Sequence, residues 1–299
     1  MRILIIGGNG MLGSQLLRSY SGRYDVKVTL RRKRNSYRGG ELFRPDNSFE
    51  DVDVRDISRV EAIAGNFRPD VVVNAAGMIK QRDEAKNAAA CIEINALVPH
   101  QLRDMCERIG ARLIHISTDC VFSGRDGGYR ESSVPDATDV YGRSKLLGEV
   151  YEAPGVTLRT SIIGPELDQK RSLVEWFLSQ RGQIKGFTRA IYTGFTTLEM
   201  ARIIERVMIQ HPSLTGLWHV ASQPISKYEL LTILGQCLNR TDVEIIPDDT
   251  FHCDRSLIGD AFNRETAYLP PSWPTMLDEL ANWISDDRRS KDVIYGATA

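Results

Sequence analysis

The chain has 299 residues, 26% of them charged, and a formal net charge of −1. That length can bury a sizeable core, as one large α/β unit or two smaller domains, and the balanced charge argues against a general nucleic-acid or membrane-surface binder held by an electrostatic field. Five cysteines (91, 106, 120, 237 and 253) lack the close pairs of zinc or redox motifs, and the five histidines share no ligand spacing; no metal is expected, and a reduced, cytoplasmic setting fits the cysteine usage.

Met1-Arg2 leads directly into Ile3-Leu4-Ile5-Ile6, which glycines cut short. This run is too brief for a signal peptide, and no later run is long enough to span a bilayer. Further apolar runs at residues 26 to 30, 71 to 73, 112 to 117 and 156 to 162 alternate with amphipathic segments. The alternation predicts parallel strands joined by crossover helices, because a strand covered on both faces reads as a continuous β-branched run. The expected fold is α/β: a doubly wound parallel sheet of Rossmann type over 1–163. A smaller substrate-binding lobe, 164–299, is expected to be interleaved with a returning strand near 216–221. Ligands of open α/β sheets bind outside the carboxyl ends of the strands, which here lies between the lobes.

After the first strand comes Gly7-Gly8-Asn9-Gly10-Met11-Leu12-Gly13, then the helical pattern from Ser14 to Arg18. Glycines let the backbone turn tightly and approach a pyrophosphate, whose charge meets free N–H groups and the positive end of a helix. Two frames fit, Gly8-x-Gly10-x-x-Gly13 and Gly7-x-x-Gly10-x-x-Gly13, and the turn alone does not choose between them. The competing reading is a strand-to-helix loop whose glycines serve only packing. The second strand ends in Thr29-Leu30-Arg31-Arg32-Lys33-Arg34, with no carboxylate for the ribose 2′-hydroxyl of NAD. A guanidinium there pairs with a 2′-phosphate, so Arg31 and Arg32 predict NADPH over NADH, with NADH still allowed. A solvated basic loop or a nucleic-acid patch is the competing reading of that run.

Tyr141-Gly142-Arg143-Ser144-Lys145 opens a helical segment, so Tyr141 and Lys145 share one face. A phenol has a pKa of about 10, and a nearby ammonium favours the phenolate, bringing the group toward working pH as a proton donor and acceptor. Ser117-Thr118-Asp119 places hydroxyls upstream, where a strand ends at the expected active edge.

The glycine turn, Asp53-Val54-Arg55-Asp56, Asn74-Ala75-Ala76-Gly77, Ser117 to Gly124 and Tyr141 to Lys145 together resemble the extended short-chain dehydrogenases. The branch they resemble most is dTDP-4-dehydrorhamnose reductase. The match is dense to about Gly164 and looser beyond, at Gly194 to Thr197, Trp218 to Ala221 and Pro270 to Trp273. The resemblance implies an oxidoreductase of deoxysugar biosynthesis that uses NADPH to reduce a nucleotide-linked 4-keto-6-deoxyhexose. It assigns proton donation to Tyr141, ribose binding and tuning of Tyr141 to Lys145, and a hydrogen bond on the keto oxygen to Thr118. It puts Gly7, Gly10, Met11, Leu12, Gly13, Ala75, Ala76 and Gly77 along the cofactor, Asp53 and Val54 at the adenine, and Asn95 in support of a proton relay. Asp119 and Cys120 fall on the substrate side. Read from the residues themselves, Trp176 and Phe187 in the second lobe are candidates to stack on a base or sugar, with core packing the competing use, and Arg255 is a candidate clamp for a diphosphate, with a surface salt bridge the competing use. Cys120 stands where the reductases usually have tyrosine and related 4,6-dehydratases have glutamate. A thiol of pKa about 8.5 does not replace that carboxylate, which disfavours dehydration. An epimerase of the same superfamily and a non-catalytic NADP-binding regulatory subunit are the competing functions. A homodimer is carried only by analogy with the family's helix bundles.

Overall fold

The computed structural model describes residues 1–37, 39–78, 87–167 and 172–296. In chain order the described strands are β1 (Arg2–Ile6), β2 (Asp25–Thr29), β3 (Ser48–Phe49), β4 (Val71–Asn74), β5 (Arg112–Thr118) and β6 (Gly155–Thr160). They continue as β7 (Ile162–Ile163), β8 (Gly182–Tyr192), β9 (Phe195–Thr196), β10 (Gly216–His219), β11 (Ile225–Ser226) and β12 (Val243–Asp254). The first helices are α1 (Met11–Tyr20), α2 (Ile57–Phe67), α3 (Ala88–Ile92), α4 (Val98–Ile109) and α5 (Val140–Leu147). The rest are α6 (Leu173–Ser179), α7 (Thr197–Ile209), α8 (Lys227–Cys237), α9 (Asp260–Thr266) and α10 (Trp273–Gly296).

Seven strands form one parallel sheet in the order β10-β6-β5-β4-β1-β2-β3. Neighbouring residues of β1 serve two different cores. Ile3 and Ile5 join a cluster with Leu16 of α1 and Ile204 of α7, whereas Leu4 and Ile6 join one with Val60 of α2 and Leu102 of α4. Helices therefore cover both faces, and the strands are apolar at most positions, which is why they read as nearly unbroken runs; the buried exceptions, such as Arg159, carry partners of their own. Helix α4 shows the matching pattern: Val98, Leu102, Met105 and Cys106 are buried on one side, Pro99 occupies its first turn, and Gly110 at φ +69° ends it. Leu102 is fully buried, so truncation to alanine costs about 2 to 5 kcal/mol.

The strand order reverses between β1 and β4, opening a crevice at their carboxyl ends. Two details depart from the expected elements. The run 156 to 162 is not one strand: β6 stops at Thr160, and past Ser161 the chain pairs Ile162–Ile163 with β9 instead. Strand β3 has only two residues, too few to show any periodicity. Beyond β7, β8 pairs with β11 and β12 in a three-stranded sheet, while β10 returns beside β6. Among the described residues, no helix is long and apolar enough to cross a membrane.

Candidate active site

A cleft of about 490 Å³ lies over the carboxyl ends of the parallel strands. Its first wall is the turn between β1 and α1. Gly7 has φ +88°, and a Cβ on it would stand 2.9 Å from the Ala76 backbone; a Cβ on Gly13 would stand 2.2 Å from the Gly7 carbonyl oxygen. Only glycine allows this approach, which brings Gly10, Met11 and Leu12 at the open start of α1 to the cleft wall opposite Ala75, Ala76 and Gly77. Gly10 precedes the helix without a side-chain cap, leaving the first N–H groups of α1 available.

Arg31 and Arg32 line the same end of the cleft. The Arg32 guanidinium stacks 4.6 Å from the Tyr37 ring centre. Farther along the basic run the charges are neutralised: Lys33 pairs with Asp51 at 2.5 Å and Arg34 with Glu50 at 3.3 Å. Asp53 and Val54 are not brought to the cleft wall. The Asp53 carboxylate is held by Arg55 at 2.6 Å, which keeps its pKa low, and Val54 packs onto the core that contains Val60.

At the centre, β5 delivers Thr118 and α5 delivers Tyr141 and Lys145. Helix α5 starts at Asp139, whose carboxylate accepts from the Gly142 N–H at 2.9 Å. Two glycines set its position. A Cβ on Gly142 would lie 2.2 Å from the Cys120 carbonyl oxygen, and one on Gly148 would lie 1.9 Å from that of Asn95. The helix is thus pressed against the Asp119–Val121 turn at one end and the Glu93–Leu97 π turn at the other. The Thr118 hydroxyl accepts from the Cys120 N–H at 3.1 Å, donates to Asp119 Oδ1 at 3.1 Å, and is also bonded to the Tyr141 phenol.

The electrostatics differ from the expected tuning. Burial, then the nearby Cys120, raises the Tyr141 pKa above its ordinary value; the Thr118 hydrogen bond acts the other way, and Asp119 adds to the rise. The Lys145 ammonium donates to the Ile116 carbonyl oxygen at 2.7 Å, and burial lowers its pKa to about 8 against the attraction of Glu149. Glu149 is itself fixed: it accepts from Arg159 at 2.6 Å through both oxygens and from Ser117 Oγ at 2.7 Å.

Asn95 is buried behind the cleft and does not line it. Its amide accepts from the Met78 N–H at 2.8 Å and donates to Ser144 Oγ at 3.1 Å, tying the loop after β4 to α5. On the substrate side, Asp119, Cys120 and Arg255 meet: Arg255 Nη1 is 3.6 Å from Cys120 Sγ, and its Nε donates to the Phe122 carbonyl at 2.9 Å. Burial raises the Asp119 pKa against the pull of Arg255, and burial with the Asp119 charge pushes the Cys120 thiol up to about 12. Trp176 and Phe187 do not reach the cleft. Trp176 is exposed on α6, and Phe187 packs at 5.0 Å against Phe251, the ring that does line it.

Ser161, Glu166, Tyr192, Lys227 and Phe251 also line the cleft and were not singled out by their sequence context. One of them had a local signal. Ser226-Lys227-Tyr228-Glu229 is a capping box, which places Lys227 at the first position of a helix.

The sequence matches the RmlD substrate binding domain family over residues 1–250. The chain belongs to that family. Among its relatives, the protein named probable low-salt glycan biosynthesis reductase Agl14 of Haloferax volcanii is 32% identical over 234 residues, 75% of each chain. The methionine adenosyltransferase 2 subunit beta of Danio rerio is 26% identical over 262 residues, 82% of this chain and 76% of that one. The dTDP-4-dehydrorhamnose reductase of Bacillus anthracis, solved in complex with NADP, superposes with a TM-score of 0.73 at 23% identity, covering 93% of this chain and 98% of that one. At that identity the likeness is one of fold. The seven-stranded parallel sheet is thus the architecture this RmlD-family chain shares with that reductase.

Proposed function

We propose that this RmlD-family chain is an oxidoreductase that uses NADPH to reduce a nucleotide-linked 4-keto-6-deoxyhexose. The observation that carries the reading is the convergence of Thr118, Tyr141 and Lys145 on the cleft that also contains the start of α1. The backbone there fits a dinucleotide: the close approach at Gly13 that a Cβ would block leaves the α1 N–H groups facing the cleft. Gly7, Gly10, Met11, Leu12 and Gly13 would hold the pyrophosphate, Ala75, Ala76 and Gly77 the opposite face, and Arg31 with Arg32 a 2′-phosphate. The bound cofactor supplies a hydride to the carbonyl carbon. Tyr141 gives its proton to the carbonyl oxygen, and its raised pKa keeps that proton on the phenol until negative charge develops beside it. Thr118 holds Tyr141 in place and offers a second hydroxyl to the same oxygen. Lys145, anchored by Ile116, presents a cation to the ribose. Asp119, Cys120 and Arg255 form the substrate wall, with Arg255 as the cation for a diphosphate.

NADPH oxidation in the presence of dTDP-, UDP-, GDP- and CDP-linked 4-keto sugars tests this reading. Turnover of one of them that Tyr141→Phe abolishes is the expected result, and turnover that survives the substitution overturns the assignment. The similarity to methionine adenosyltransferase subunit beta supports a second reading, a non-catalytic NADP-binding subunit. Nucleotide binding with no oxidation across the whole panel would favour that reading.

A further inference from the structure

His115 on β5 has no solvent exposure, and no step of the proposed reaction uses it. Its Nε2 is buried without a hydrogen-bond partner among the described residues, and burial, with the charges of Lys145 and His100, holds its pKa well below the ordinary value. The ring is therefore neutral at working pH. Leucine would fill such a core position without burying an unmatched polar atom, so packing does not account for an imidazole there. What the ring does hold is its neighbour across the sheet: β4 sets Asn74 beside His115, and Asn74 Nδ2 lies 3.1 Å from His115 Nδ1.

The proton positions in this pair follow from the far end of the amide. Asn74 Oδ1 accepts from the Ala76 N–H at 3.2 Å, and a main-chain N–H can only donate, so the oxygen faces Ala76 and the NH2 group faces the ring. His115 Nδ1 must then accept, and Nε2 carries the proton. With a proton on Nδ1, two donors would face each other and the amide would turn over, setting its NH2 group against the Ala76 N–H. Ala76 stands at the cleft wall, where its backbone meets Gly7 so closely that a Cβ on Gly7 would lie 2.9 Å away. One chain of hydrogen bonds thus runs from a buried ring to the surface opposite the glycine turn.

We infer that His115 is a positioning residue for the dinucleotide: by accepting from Asn74 it fixes the amide that holds Ala75, Ala76 and Gly77 at the spacing the cofactor needs. This rests on the reading of that end of the cleft as a dinucleotide site, and it adds to the site a residue that touches neither cofactor nor substrate.

The test sets NADPH affinity, from fluorescence titration, beside thermal stability in two variants. Asparagine at 115 carries an amide oxygen near the place of Nδ1 and can still accept, whereas leucine fills the space and cannot. His115→Leu should melt at or above the wild-type temperature yet bind NADPH about 10-fold more weakly, the size of one hydrogen bond, and His115→Asn should recover most of that loss. Asn74→Ala should weaken binding at least as much as His115→Leu, and in its background His115→Leu should cost nothing further, because both act through one bond. Should the leucine protein fail to fold, Asn74→Ala and His115→Asn still test the bond from its two ends. Wild-type affinity in His115→Leu or Asn74→Ala, a loss in His115→Asn as large as in His115→Leu, or additive losses in the double variant overturns the inference. A wild type that binds neither NADPH nor NADH overturns the dinucleotide reading and the inference with it. Affinities in the expected order, with no 4-keto sugar oxidising NADPH, would remove the reductase reading alone and leave the role of His115 standing.

Discussion

Replacing Lys145 by methionine should make the protein more stable at neutral pH while removing activity. Burial lowers the Lys145 pKa from 10.5 to about 8, and each tenfold step in proton affinity corresponds to 1.36 kcal/mol, so the charged form costs on the order of 3 kcal/mol below pH 8. The hydrogen bond to Ile116 returns about 1 kcal/mol of this. Methionine fills a similar volume without charge, which leaves a net gain of about 2 kcal/mol and a rise in Tm of roughly 3 °C. The sign with pH follows from the same shift. Between pH 8 and 10.5 the unfolded chain binds more protons at this group than the folded one, so wild-type stability rises with pH through that window. The advantage of Lys145→Met should therefore be full below pH 8 and fade toward pH 10.5. Thermal melts of both proteins at pH 7 and at pH 9.5 measure it. A variant that is less stable than wild type by the same amount at both pH values would refute the claim that the folded site strains this ammonium.

Removing only the phenolic oxygen, in Tyr141→Phe, should lower kcat by 10² to 10⁴-fold, roughly the scale of general acid catalysis, in the NADPH oxidation assay. Arg31→Ala should raise the KM for NADPH about 10-fold and leave that for NADH nearly unchanged, as read from initial rates; equal effects on both cofactors would remove the 2′-phosphate role. Glu149→Ala strands the buried Arg159 guanidinium, so chemical denaturation should show a loss of about 3 to 5 kcal/mol. Gly13→Ala forces a Cβ against the Gly7 carbonyl, and binding of NADPH followed by fluorescence titration should be lost.

The parallel sheet was legible because its strands are covered on both faces, and burial on both sides favours apolar residues at successive positions. The break at Ser161 was not, since nothing local distinguishes a strand that continues in one sheet from one that changes partner. Thr118, Tyr141 and Lys145 were legible because a strand end and one helical turn bring them together within a short stretch of chain. Tyr192, Lys227 and Phe251 meet the same cleft only through the pairing of β8 with β11 and β12, a contact between distant segments that leaves no local pattern. Resemblance placed Asn95 and Asp53 near the cofactor path, but their partners are Met78, Ser144 and Arg55, which residue identity alone does not reveal. The tuning of Tyr141 expected from Lys145 is not among the influences on its pKa, which burial leads.

Because Gly142 and Gly148 seat α5 by direct main-chain contact at both ends, the register of Tyr141 and Lys145 does not depend on the side chains that shape the far wall. Substitutions at Cys120 or Phe251 can therefore reshape that wall while Tyr141 and Lys145 stay where they are. A scaffold of this kind separates the part of the cleft that can vary from the part that cannot.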